Sequence, residues 1–142
     1  MKLAYRLRYQ SGTLRCALGD LMQQILKTGR RIVNLRDAVF DPFEEEVGTG
    51  ILQLNPDAPR GTGFYIYRME PGASSSPHHH LGAEEFFMIE GELIDNDGTI
   101  YRAGDIVWLD AGTEHNSTSP GGCTIVVFSE KGEVPATEAG VE

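Results

Sequence analysis

The chain has 142 residues, 40 % of them hydrophobic and 23 % charged, with a formal net charge of −9. That length supports one domain with a buried core, and the acidic balance excludes nucleic acid and anionic membrane as partners of its body. No apolar run approaches the roughly 18 residues of a membrane span, and two cysteines without CxxC spacing, Cys16 and Cys123, fit a reducing, cytoplasmic setting rather than a disulfide framework.

Residues 1–31 form a basic extension, with Lys2, Arg6, Arg8, Arg15, Lys27, Arg30 and Arg31 against Asp20 alone. Within it Leu14, Leu18, Leu21, Ile25 and Leu26 recur at helical spacing and predict a short helix over 14–27. Its composition has the Arg-rich, acid-poor character of an organelle transit peptide. The expected reading is instead a helix docked on the acidic body, or upstream sequence before a later start at Met22.

From residue 32 to about residue 130 the pattern changes. Runs at 31–35, 50–54, 63–69, 85–89, 105–109 and 123–128 are rich in Ile, Val, Phe and Tyr, and Gly, Pro, Asn and Asp clusters separate them. Asp97-Gly98 predicts a tight hairpin turn. Many short strands about ten residues apart, with no helical period between them, predict an all-β sandwich or barrel. Residues 131–142 are small and polar and are expected as a flexible tail.

The stretch PHHHLGAEEFFMIEGEL at 77–93 carries the chemistry. On a strand His78 and His80 point the same way and His79 the other. Glu84 follows after a short Leu81-Gly82-Ala83 turn, and His115 comes just after a second turn that contains Gly112. Imidazoles with one carboxylate suit a borderline divalent ion, one per chain: Fe(II) or Zn(II) first, with Ni(II), Mn(II) or Co(II) as further choices. The bland reading is an exposed histidine tract; an internal position between a Pro-Gly turn and a strand already disfavours a tag remnant.

These residues resemble the cupin superfamily. Its first motif is a glycine, five residues, HxH, three or four residues, a glutamate, six residues and a glycine. Gly72, His78, His80, Glu84 and Gly91 occupy every fixed position. In the second motif Gly104, Gly112 and His115 match, while Asp110 stands for the proline and Ser119 for the asparagine. The resemblance implies a double-stranded β-helix, or jelly-roll barrel, with a metal on His78, His80, Glu84 and His115. Both Glu84 and Glu85 fit the spacing after His80, but only Glu84 keeps six residues before Gly91.

A narrower resemblance, over 32–128, is to cupins related to the ChrR anti-sigma domain and to 2,4'-dihydroxyacetophenone and acetylacetone dioxygenases. Some such dioxygenases use the three histidines alone. The resemblance implies a non-haem Fe(II) dioxygenase that takes O2 and a small diketone or hydroxyketone and cuts the bond between two oxygenated carbons. The alternative it implies is a non-enzymatic ChrR-like module that holds Zn(II) and senses a ligand or oxidant. Residues 1–31 hold one cysteine and no histidine, too few for the zinc site of an anti-sigma domain. A metal-dependent isomerase is a third reading, since the fold hosts many chemistries. Pairing as a homodimer through sheet edges is a further implication of the resemblance.

Strand alternation puts Phe86 and Met88 on the face of Glu84, as pocket lining or as barrel packing. Tyr65, Tyr67, Arg68 and Trp108 lie on predicted strands whose parity the sequence leaves open. An inward Arg68 would hold a substrate carboxylate or enolate by paired hydrogen bonds.

Overall fold

The computed structural model describes residues 29–137. These fall in two units that divide between Asp37 and Ala38, and every strand among them lies in the second. The helix predicted over 14–27 lies outside the described residues. Residues 31–35, expected as a strand, are irregular and run into a turn. There the Asn34 side-chain oxygen accepts the Arg36 N–H at 3.0 Å and the Asn34 carbonyl accepts the Asp37 N–H. A side chain that satisfies nearby backbone offers the chain an alternative to a ladder, and here it wins.

The described strands are β1 (Asp41–Pro42), β2 (Thr49–Leu52), β3 (Gly63–Met69), β4 (Ala73–Ser74), β5 (His78–His80) and β6 (Glu84–Asp95). They continue with β7 (Ile100–Arg102), β8 (Ile106–Leu109), β9 (Glu114–His115), β10 (Ser117–Ser119), β11 (Cys123–Ser129) and β12 (Glu133–Pro135). One antiparallel sheet runs β1-β2-β3-β11-β6-β10-β4, with β7 and β8 also paired to β6, and a second is ordered β12-β5-β9. The fold is the all-β, curled antiparallel architecture that the strand spacing predicts.

Strand β6 is the spine. Its first half pairs with β11 on one side and β8 on the other, and its second half pairs with β7 and β10. Midway, Ile125 faces Met88 while Thr124 faces Glu90, so Ile89 is left as an extra residue. This bulge changes the parity of the strand. Glu84, Phe86 and Met88 point into the barrel before it; Leu93 and Asp95 do so after it. The bulge is anchored by its neighbour turn, since the Met88 N–H donates to Asp105 and the Met88 carbonyl accepts from Gly104.

Across the sheet the inward residues line up in rows. Tyr65 faces Val127, which faces Phe86, which faces Val107; Tyr67 faces Ile125, which faces Met88. Met88 is 0 % exposed, and burying a side chain of that size contributes about 1.5–3 kcal/mol relative to leaving it in water. The opposite parity faces outward: Phe64 is 61 % exposed and Trp108 57 %.

The hairpin at Asp97-Gly98 is present between β6 and β7. Gly98 has a φ of 89°, and its N–H donates to the Asp95 carbonyl. The C-terminal segment departs from expectation. Glu133, Val134 and Pro135, read as part of a flexible tail, pair with His80, His79 and His78 as β12. Without them β5 would present an unpaired edge beside the histidines.

Candidate metal centre

Two short strands bring the histidines together. In the pairing of β5 with β9, His78 sits directly opposite His115, and their ring centroids are 4.7 Å apart. His78, His80 and His115 are all buried, while His79 takes the other face. The turn before β9 is clamped to β5: the His80 N–H donates to Thr113 and the His80 carbonyl accepts from Gly112, each at 2.9 Å. Asp110, where the cupin motif has proline, still closes that turn, because its carbonyl accepts both the N–H and the hydroxyl of Thr113. Ser119, in place of the motif's asparagine, is fully buried and donates to the Glu92 carbonyl at 2.6 Å.

Each ring is oriented by what its far nitrogen meets. His78 Nδ1 faces the Ser76 carbonyl at 2.8 Å, and His115 Nδ1 faces Asp95 Oδ2 at 3.0 Å. Both partners only accept, so these nitrogens carry the protons and the Nε2 atoms keep lone pairs. His115 Nε2 then faces His80 Nε2 at 2.9 Å. Donors bound about 2.1 Å from one ion at right angles lie about 3 Å apart, so the spacing suits a shared cation. His80 Nδ1 is buried without a hydrogen-bond partner, as Glu84 Oε2 at 3.5 Å is too distant to serve. Chemistry and geometry therefore fit a metal: the His78, His80 and His115 donor atoms lie within 4.8 Å of one another.

The charges agree with that reading. Burial, then the neighbouring rings of His78 and His115, hold His80 down to about 4, so its ring is neutral near pH 7. For His115 burial works against the charged ring, but the hydrogen bond and charge of Asp95 outweigh it and the net shift is upward. Burial also opposes ionisation of Asp95, yet hydrogen bonds from His115, Ser117 and Tyr101 bring it below the usual carboxylate range. Glu84 is pushed up to about 8, chiefly by burial and then by the charge of Glu133.

Glu84 is buried and turned inward while Glu85 is exposed on the outer face. The Glu84 carboxylate does not join the full histidine triad; it clusters with His80 and Glu133. Phe86 lines a cavity of about 620 Å³ together with Tyr65, Met69, Leu93, Ile125 and Val127. His78, His115, Glu84 and Glu133 stand in the same wall. Met88 packs in the core behind it. Arg68 and Trp108 lie outside the cavity wall, because Tyr65, Tyr67 and Met69 take the inward parity of β3 and Glu84 and Phe86 face Leu109 and Val107 of β8. Arg68 stacks on Phe40 at 4.1 Å, and the Trp108 indole donates to Asp110.

Three residues of the site escape sequence reasoning. Asp95 orients His115, Glu133 approaches His78 Nε2 at 3.2 Å, and Glu46 accepts from the Tyr67 hydroxyl at 3.0 Å and the Ser76 N–H at 2.6 Å. Alternation counted from Glu84 points Asp95 outward unless the bulge is known. Asp95→Asn is expected to weaken metal affinity by roughly 10–100-fold, as replacing a ligand's supporting carboxylate does. Chelator competition measures it, and unchanged affinity would reduce Asp95 to a packing role.

A curled antiparallel barrel with three clustered histidines, two of them in the wall of an apolar cavity, defines a cupin. The chain belongs to the family described as the ChrR cupin-like domain, which matches residues 28–134. No curated protein matches it. Among solved structures it is similar to the polyketide cyclase RemF from Streptomyces resistomycificus, at 19 % identity and a TM-score of 0.60 over 75 % of this chain and 82 % of that one. It is also similar to an acetylacetone dioxygenase from Acinetobacter johnsonii, at 20 % identity and a TM-score of 0.56 over 70 % and 74 % of the two chains. A third is an RmlC-like cupin from Shewanella frigidimarina, with 21 % identity and a TM-score of 0.52 over 79 % and 96 %. At these identities the likeness is one of fold. Among the described residues no helix is long and apolar enough to cross a membrane.

Proposed function

We propose that the protein is a non-haem Fe(II) dioxygenase that cleaves a carbon–carbon bond in a small diketone or hydroxyketone, working in the cytoplasm. The observation that carries this reading is that His78 and His115 stand in the wall of a roughly 620 Å³ cavity with a mostly apolar lining. That volume suits a small organic ligand. A purely structural ion needs no such chamber beside it.

His78, His80 and His115 would hold the ion, with Glu84 as a fourth ligand. A bound divalent ion would supply Lewis acidity and a template for two substrate oxygens. Tyr65, Phe86 and Val127 exclude water from the chamber. The substrate class is suggested by the acetylacetone dioxygenase of similar fold. A Zn(II)-holding sensor is the second reading, and the carboxylates of Glu84 and Glu133 beside the imidazoles favour it, since a fuller ligand set leaves fewer positions for substrate.

The test is metal content by plasma mass spectrometry on protein purified without nickel resin or chelator, paired with oxygen uptake on a β-diketone and a hydroxyacetophenone. Iron with substrate-dependent uptake supports the dioxygenase. Stoichiometric zinc and no uptake after iron reconstitution would sink it in favour of the sensor. In the same preparation Glu84→Gln should weaken metal binding by about tenfold or more, while Glu85→Gln on the outer face leaves it unchanged. Loss confined to the Glu85 variant would show the ligand register to be off by one.

A further inference from the structure

Strand β12 belongs to neither cupin motif, yet it is laid against β5 with Glu133 directly opposite His80. Directly opposed residues share a face of the sheet, so Glu133 is delivered to the side that carries His78 and His80. Its Oε2 lies 3.2 Å from His78 Nε2, the lone-pair nitrogen left when Nδ1 is engaged by Ser76. That spacing resembles the 2.9 Å between His80 Nε2 and His115 Nε2. Donor atoms of Glu133, Glu84 and His80 also lie within 4.8 Å of one another. Beside them His80 Nδ1 is buried without a hydrogen-bond partner.

We propose that Glu133 is a metal ligand supplied by the C-terminal strand, completing a set of three imidazoles and two carboxylates. The inference rests on the metal centre described above and extends it beyond the two motifs. Five protein ligands leave one place on a six-coordinate ion, so the set favours the Zn(II)-holding reading over a dioxygenase that needs two places for substrate. A charge balance supports it. Three neutral imidazoles leave a divalent ion with its full charge inside an apolar chamber, Glu84 removes one unit and Glu133 removes the other, and an uncompensated buried charge is costly. Glu133 suits the outermost place in such a set, because its side chain remains 46 % exposed while that of Glu84 is 10 % exposed.

The test is titration of metal-free protein with Co(II), following the visible absorption of the ion and its affinity by competition with a chelating dye. Wild type is compared with Glu133→Gln, Glu133→Ala and Glu114→Gln, the last removing a carboxylate that faces away beside His79. Both Glu133 variants should lose more than about tenfold in affinity and change the absorption spectrum, while Glu114→Gln matches wild type. Melting temperatures of the metal-free proteins show whether β12 has been disturbed, and Glu133→Gln keeps the side chain's shape if Glu133→Ala unfolds the strand. Unchanged affinity, or weaker affinity with an unchanged spectrum, would overturn the proposal, the latter leaving Glu133 as a nearby charge only. If wild type takes up no Co(II), the metal centre itself falls; if it does and only the Glu133 result fails, the three-histidine centre stands.

Discussion

His78→Ala and His115→Ala are each expected to remove most of the bound metal. Removing only a ligand's supporting partner weakens metal affinity by about 10–100-fold, so deleting the ligand should exceed roughly 100-fold. The two positions are informative together because they face each other across β5 and β9, and neither can be replaced by a neighbour. His79, the nearest spare imidazole, points to the opposite face. In His115→Ala the Asp95 carboxylate also loses the ring nitrogen that it holds at 3.0 Å, so the metal-free protein should become less stable as well. For His78 the lost partner is a backbone carbonyl near the surface, with a smaller effect on the metal-free protein. Metal stoichiometry after dialysis against a weak chelator is the measurement. Full stoichiometry in both variants would remove the site from this end of the barrel.

Gly91→Ala should be the most damaging single-methyl change in the barrel. Gly91 sits just after the β6 bulge with a φ of 83°, where β11 passes against its backbone. A Cβ there would lie 2.1 Å from the Gly122 carbonyl oxygen and 2.7 Å from Cys123 Cα, and both are main-chain atoms that no rotamer can move aside. The clash adds to the left-handed backbone penalty, and together they should destabilise the fold by about 3–5 kcal/mol, a large part of a small domain's total. Gly98→Ala is the control. Gly98 has a similar φ of 89° but nothing within 4 Å of the added carbon, so about 1–2 kcal/mol is expected. Urea midpoints of the two variants separate backbone strain from close approach. Equal, mild losses would show that β11 can move away from Gly91.

The same residues show what the sequence makes legible. The bounds of β3 fall where the apolar run between glycine and methionine puts them, since composition and turn signals there are local. The convergence of His78, His80 and His115 is legible because two sit on one short strand and the third follows a glycine turn. What is not legible depends on long-range pairing. The approach of Glu133 to His78 requires knowing that β12 lies on β5, and nothing near residue 133 announces it. Asp95 is hidden by the bulge, and Arg68 and Trp108 by strand parity. At 31–35 the β-branched residues outweigh Asn34 on composition, while the structure follows the asparagine.

The extra residue at Ile89 makes β6 a strand in two phases, so that Met88 and Leu93 both face inward although an odd number of positions separates them. Removing one residue between Met88 and Leu93 would close the bulge and restore plain alternation, with Leu93 and Asp95 still inward but without the local bend and added twist that a bulge gives a strand. The metal end and the hairpin end of β6 are thus geared together through a single step, and the bend at that step, rather than side-chain parity, is what its loss would remove.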